Sequence, residues 1–245
     1  EFLDAALKDG RIGHAGFSFH DDLPTFKTVV DAYKWSFCQI QYNYVDTNYQ
    51  AGAEGLAYAA DRGLGIVIME PLRGGSLSRN LPTAVSQIFE QSGFKRSPSE
   101  WALRWLFDDP RISTVLSGMS AVEHVEENLR IAAQAEAQSL SEAEKEVMLE
   151  AQAAFKARCK VSCTSCGYCM PCPSGVDIPK NFQMYNSFHM LDESFQNTVR
   201  MQYSFQLASA ARASNCVKCG RCETHCPQQI SIMNELEKVA AVFEK

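Results

Sequence analysis

Eight of the ten cysteines fall into two runs, Cys163-x2-Cys166-x2-Cys169-x2-Cys172-Pro173 and Cys216-x2-Cys219-x2-Cys222-x3-Cys226-Pro227. Thiolates are soft ligands. Three at consecutive two-residue steps, completed by a fourth cysteine and a proline, are the pattern that holds a [4Fe–4S] cube, whose irons need several sulfurs from one tight loop. A zinc site more often shows two separated Cys-x2-Cys pairs with no third step. Disulfide frameworks belong to small secreted chains. Two runs predict two [4Fe–4S] clusters. The first run is one residue short at its last step, which leaves Cys159, three residues ahead of Cys163, as the alternative to Cys172. The other reading of Cys159, and of Cys38, is a small apolar core side chain.

The elements that must position these thiols are helical. Leu140-Ser141-Glu142-Ala143-Glu144 is a capping box behind an apolar residue, and it predicts a helix running to about Arg158. Between the runs, Ile178, Phe182, Tyr185, Phe188, Leu191, Phe195 and Val199 step by three or four, with Asp192-Glu193-Ser194 as an expected break into two helices. This aromatic stripe reads as core packed around the cysteines. Upstream the pattern alternates. Strands are expected at residues 12–19, 37–44, 64–69 and 112–116, and helices at 23–33, 54–61, 81–107 and 121–135. Asp22-Leu23-Pro24 and Ser97-Pro98-Ser99-Glu100 are helix starts, the second of them inside the 81–107 segment. Four strands each followed by a helix call for a parallel sheet, either half of a (β/α)8 barrel or a small open sheet. None of the turns carries a Gly-x-Gly-x-x-Gly phosphate fingerprint.

Composition sets the outer limits. At 245 residues and 46% apolar, the chain has room for two globular units. No stretch approaches the apolar length of a membrane span, and Glu1-Phe2-Leu3-Asp4 is not a secretory signal. With thiols that must stay reduced, a cytoplasmic protein is expected. Residues 159–245 carry 8 Lys and Arg against 7 Asp and Glu, and residues 1–158 carry 15 against 22, so neither part is a nucleic-acid binder by charge. The opening helical pattern, Phe2, Leu3, Ala6 and Leu7, starts without a cap and without Met, which reads as the tail of an element in a fragment.

Gly10-Arg11-Ile12-Gly13-His14-Ala15-Gly16-Phe17-Ser18, Gln39-Ile40-Gln41-Tyr42-Asn43, Met69-Glu70-Pro71-Leu72-Arg73-Gly74-Gly75 and Ser117-Gly118-Met119-Ser120 through Glu127-Asn128-Leu129 resemble, in order, the ends of strands five to eight of aldo-keto reductases. The tail resembles the branch of that family with a C-terminal iron–sulfur domain, and its helical insert resembles the α-helical dicluster ferredoxins. The resemblance implies the C-terminal portion of such an enzyme. Residues 1–136 would be the second half of a TIM barrel, 137–158 a linker helix and 159–245 a helical ferredoxin-like domain. In two-cluster ferredoxins the fourth cysteine of each run serves the other run's cube. The resemblance thus implies one cluster on Cys163, Cys166, Cys169 and Cys226, and another on Cys216, Cys219, Cys222 and Cys172.

For the barrel, the resemblance implies NADP or NAD as cofactor and a small carbonyl or alcohol as substrate. Ser18 and Gln39 would hold the carboxamide and Met69 would lie against the nicotinamide ring. Glu70, Pro71, Leu72, Arg73 and Gly74 would line the pyrophosphate, and Gly118, Ser120, His124, Glu127 and Asn128 the adenosine end. Glu70 stands where the family has a small hydroxyl residue, an anion beside phosphate that Arg73 would have to offset. His124 stands where the family often has a longer donor. The Asp/Tyr/Lys/His tetrad of the family lies on its first four strands, so no catalytic residue is assigned here and the chain alone is expected to be inactive. A hydride carries two electrons and a cube accepts one. A flavin commonly mediates between them, and no pattern here marks a flavin site. The competing function is an electron-transfer or docking protein, serving a redox partner, whose barrel is a scaffold. A half barrel would also present Val67, Ile68, Val115 and Leu116 to water, so the missing units or a second copy are expected to cover it.

Overall fold

The structure, a computed structural model, describes residues 1–79, 81–190 and 193–245. It begins with α1 (Phe2–Lys8), β1 (Gly16–Phe19), α2 (Leu23–Ala32), β2 (Phe37–Gln41), α3 (Gly52–Ala60) and β3 (Gly65–Met69). Then come α4 (Thr83–Gln91), α5 (Pro98–Phe107), β4 (Ile112–Val115) and α6 (Val122–Ala133). The tail holds α7 (Glu142–Arg158), α8 (Ile178–Met190), α9 (Glu193–Gln206), α10 (Arg221–Thr224) and α11 (Ile232–Phe243). The chain divides into two compact units, residues 1–79 with 95–149 and residues 80–94 with 150–245.

In the first unit, the four described strands form one parallel sheet in sequence order, β1-β2-β3-β4. Each strand follows a helix-bearing crossover, as βα units require. Register places Ser18, Gln39, Val67 and Thr114 in one row across the sheet. Strands alternate faces. Cys38, Ile40, Ile66 and Ile68 therefore share the other face, where they are buried with Phe26, Val30, Leu56, Ala59 and Leu106 of the helices. Burial pushes the Cys38 thiol up to about 12, as befits an apolar core side chain. The same alternation corrects one expectation. Val67 and Ile68 cannot both face the open side, and Ile68 is fully buried against the helices while Leu116, past the end of β4, is 42% exposed.

Two strands are shorter than their sequence pattern. Pairing of β1 with β2 begins at Gly16↔Phe37, so residues 12–15 lie ahead of the ladder. Gly16 is required there, because a Cβ would stand 2.5 Å from the Phe37 ring. β2 ends at Gln41 because the Asn43 side chain accepts the amides of Val45 at 3.0 Å and Asp46 at 2.9 Å, turning the chain out of the sheet. The expected 81–107 helix is two helices. α4 stops before Gly93, which has φ 80°. α5 starts afresh where Ser97 accepts from the Glu100 amide at 3.0 Å, with Pro98 in its first turn. Ser141 and Glu144 form the reciprocal capping box expected for α7.

The second unit is helical. Ile178, Phe182, Tyr185, Phe188 and Val199 of the stripe are buried with Tyr203, Leu207, Ile232, Leu236 and Val239. α8 ends at Met190 and α9 begins at Glu193. Leu191 and Asp192, and the side chain of Phe195, lie outside the described residues.

Candidate functional site

Both cysteine runs repeat one backbone device. The residues flanking the second cysteine are left-handed in each: Ser165 (φ 59°) and Gly167 (φ 80°) in the first, Lys218 (φ 55°) and Gly220 (φ 76°) in the second. A chain that turns left-handed on either side of its central thiol curls the three thiols around one centre, and glycine tolerates that bend without a Cβ clash. The Cys163 sulfur accepts from the Ser165 amide at 3.4 Å. Two cavities result. Cys163, Cys166, Cys169 and Cys226 line the first, closed by Ile178, Phe182, Ile230 and Ile232. Cys172, Cys216, Cys219 and Cys222 line the second, with Tyr168, Met170, Val217 and Arg221 beside them. The last cysteine of each run thus sits in the other run's cavity. Cys169 and Ile178 belong to both walls.

Burial, together with the neighbouring Cys163, Cys166 and Cys226, pushes the Cys169 thiol up to about 12. Burial, and then the Glu223 and Cys216 charges, raise Cys222. Soft donors crowded in an apolar cavity are costly to ionise without a cation, and a metal that takes them as thiolates offsets that cost. Four cysteines in the first cavity and, besides the shared Cys169, four in the second, with all ten cysteines free of disulfides, fit a cube in each. Cys159 lines neither cavity, and its sulfur lies 3.5 Å from the Val161 carbonyl. Among the described residues no three His, Cys, Asp or Glu side chains converge on a single-ion site.

Two buried asparagines on α8, which the hydrophobic pattern passes over, hold the approaches to the runs. Asn186 accepts from the Lys160 and Val161 amides at 3.1 and 2.9 Å and donates to the Val161 carbonyl at 2.6 Å, just ahead of Cys163. Asn181 donates to the Asp177 and Ala211 carbonyls at 2.7 and 2.9 Å and accepts from the Tyr203 hydroxyl at 2.7 Å, ahead of Cys216.

In the first unit a groove of about 690 Å³ opens where β3 and β4 end. Met69, Glu70, Pro71, Leu72, Gly74, Gly118, Ser120, His124, Glu127 and Asn128 line it, ten of the thirteen residues that the barrel resemblance singles out. Ser18, Gln39 and Arg73 do not. Ser18 and Gln39 are register partners, and the Gln39 amide lies 3.5 Å from the Met69 sulfur. Arg73 is turned inward. Its Nε lies 3.1 Å from Asp46 Oδ2, with both side chains nearly buried, and Asn43 donates to that same oxygen at 3.1 Å. Arg73 therefore cannot offset the Glu70 charge in this arrangement.

The turn after β3 is strained. Glu70 (φ 57°) and Arg73 (φ 49°) are left-handed without being glycine, and Gly74 and Gly75 follow at 62° and 90°. Glu70 Oε2 accepts from the Gly74 amide at 2.7 Å. Arg79, which the motifs did not indicate, lines the groove with its guanidinium 3.0 Å from where a Gly75 Cβ would stand. On α6, Asn128 donates to Ser117 Oγ at 3.1 Å and Glu127 accepts from Ser97 at 2.6 Å, tying α6 to the loop after β4 and to the cap of α5. The Gly74 amide is thus a donor that an anionic oxygen already occupies.

No helix of the described residues is long and apolar enough to cross a membrane. No curated protein matches the chain. The 4Fe-4S dicluster domain model matches residues 162–231, so the chain carries such a domain. The structure is similar to the aldo-keto reductase AKR11C1 from Bacillus halodurans in its holo form, with 20% identity and a TM-score of 0.50 over 60% of this chain and 53% of that one. The apo form gives 20% and 0.50 over 60% and 54%. The chain thus spans about half the length of these solved relatives, and the likeness is one of fold, that of a TIM-barrel family. The aldo/keto reductase family model matches residues 1–145, more than half of the sequence, and the chain belongs to the aldo/keto reductase family.

Proposed function

We propose that this chain is part of an iron–sulfur oxidoreductase that uses NADPH or NADH on a small carbonyl or alcohol in a cytoplasmic setting. The observation that carries the redox half is the exchange of last cysteines, which puts Cys226 in the first run's cavity and Cys172 in the second run's. Cys163, Cys166, Cys169 and Cys226 would hold one cube, and Cys172, Cys216, Cys219 and Cys222 the other. Bound cubes supply one-electron storage. The protein's own part is to gather the thiols, to shape their loops through left-handed turns, and to fix the approaches with Asn181 and Asn186.

In the groove, Gly74 would donate its amide to the cofactor's pyrophosphate, Arg79 would supply positive charge, and Met69 would lie beneath the nicotinamide. Asn128 and Glu127 reach the adenosine end from α6, already oriented by Ser117 and Ser97. The proton donor for carbonyl reduction would come from the family's tetrad, which residues 1–245 do not supply, so a protein of these residues alone should turn over no carbonyl.

A second reading, in which the barrel is only a scaffold for an electron-transfer protein, is favoured by the occupied Gly74 donor. One preparation tests both. Anaerobic iron and sulfide analysis should give about eight irons, and titration should show NADPH binding. Iron near four overturns the two-cube assignment, and failure to bind either nicotinamide cofactor selects the scaffold.

A further inference from the structure

The turn after β3 combines three features that the groove's general shape does not explain. Glu70 and Arg73 hold left-handed backbone conformations that cost free energy for residues with a Cβ. The backbone is pinned there, since the Glu70 carbonyl accepts from Asn43 Nδ2 at 3.2 Å and from the Arg73 amide at 3.1 Å. The nearest guanidinium in sequence, that of Arg73, is committed to buried Asp46. What the strain achieves is to swing the Glu70 carboxylate onto the Gly74 amide at 2.7 Å.

A hydrogen bond to an ionised acceptor is about twice as strong as a neutral one. A pyrophosphate oxygen seeking the Gly74 amide must therefore displace an anion already held by the chain, and must then lie near that anion's charge. We infer that Glu70 is an intramolecular competitor for the pyrophosphate of the dinucleotide, a residue that weakens cofactor binding at this turn and makes the groove exchange its nicotinamide cofactor readily. This rests on the reading of the groove as a nicotinamide site. Glu70 touches the locus of the phosphates and not that of the adenosine, which lies toward Ser120, His124 and Asn128 along the same groove.

The test is a set of equilibrium titrations on the intact protein, wild type against Glu70→Ser and Glu70→Gln, with NADPH and with adenosine 2′-monophosphate, which keeps the adenosine end but carries no phosphate at its 5′ position. Both variants should bind NADPH tighter, by on the order of tenfold for a charge-assisted bond no longer displaced, while adenosine 2′-monophosphate affinity stays unchanged. Circular dichroism matching wild type shows that each variant is folded. Equal NADPH affinity in all three proteins overturns the inference and leaves the nicotinamide reading standing. An equal gain for adenosine 2′-monophosphate overturns it as well, since general electrostatics would then account for the effect. No binding of either probe by any of the three overturns the nicotinamide reading, and the inference with it.

Discussion

Replacing Asn186 by alanine should cost the second unit about 3 kcal/mol and loosen the first cysteine run before it disturbs the second. The amide makes three hydrogen bonds, to Lys160 N, Val161 N and Val161 O. Lys160 is exposed, so its amide can be rehydrated, and its loss counts at the low end of the roughly 0.5–1.5 kcal/mol typical of a net hydrogen bond. Val161 is 2% exposed. Its N–H would be left buried and unpaired, at roughly 1–3 kcal/mol, while its C=O would keep only the Cys159 sulfur at 3.5 Å and lose about the net value of one hydrogen bond. The sum is a large part of an ordinary domain stability of about 5–15 kcal/mol. Anaerobic urea unfolding followed by far-ultraviolet circular dichroism reads the stability, and iron release to a ferrous chelator reads the sites. Asn181→Ala, which removes one of the bonds to the Ala211 carbonyl and to the Tyr203 hydroxyl, is the matched control and should release iron first from the second cavity. A change under about 0.5 kcal/mol for Asn186→Ala, or identical iron release from the two variants, would refute the idea that each asparagine serves one run.

Cys226→Ser, although it lies in the second run, should remove the spectroscopic signal of the first cube and leave that of the second, and Cys172→Ser should do the reverse; electron paramagnetic resonance of the reduced proteins decides. Leu56→Ala in the fully buried core of the first unit should lower stability by about 2–5 kcal/mol, read as a falling thermal midpoint. Burial alone would raise the Glu100 carboxyl, but hydrogen bonds from Arg130 and Arg104 outweigh it and hold the group below its ordinary 4.5. A depressed folded pKa means that this contribution is complete above pH 4.5 and is lost as pH falls further, so stability should drop through that acid range and Glu100→Gln should flatten the drop.

The parts written in covalent spacing were legible without coordinates. Two-residue steps between cysteines, a helical stripe and a Ser97-Pro98 cap each depend on neighbours a few positions away, and the cap and the stripe's described members, Ile178, Phe182, Tyr185, Phe188 and Val199, stand where the pattern puts them. What escaped depends on distant partners. Nothing near Arg73 says that its guanidinium will turn to Asp46, and nothing near Asn181 or Asn186 says which loop they hold. The extent of β1 was misjudged for a related reason, since a strand lasts only while its neighbour runs beside it. One local signal was available for the left-handed turns. Cys166-Gly167 and Cys219-Gly220 are the same dipeptide at the same place in each run.

The exchanged cysteines also impose an order in time. As the chain is synthesised from its N-terminus, Cys163, Cys166 and Cys169 emerge early, but their cavity lacks its fourth thiol until Cys226 follows, close to the last helix. The second cavity borrows Cys172 from the early segment and cannot form until α8 and α9 have folded the two runs together. Neither set of four thiols is therefore complete before the second run has been made. On that assignment iron delivery would have to await the second run, and a chain cut anywhere between Cys172 and Cys216 would complete neither set of four.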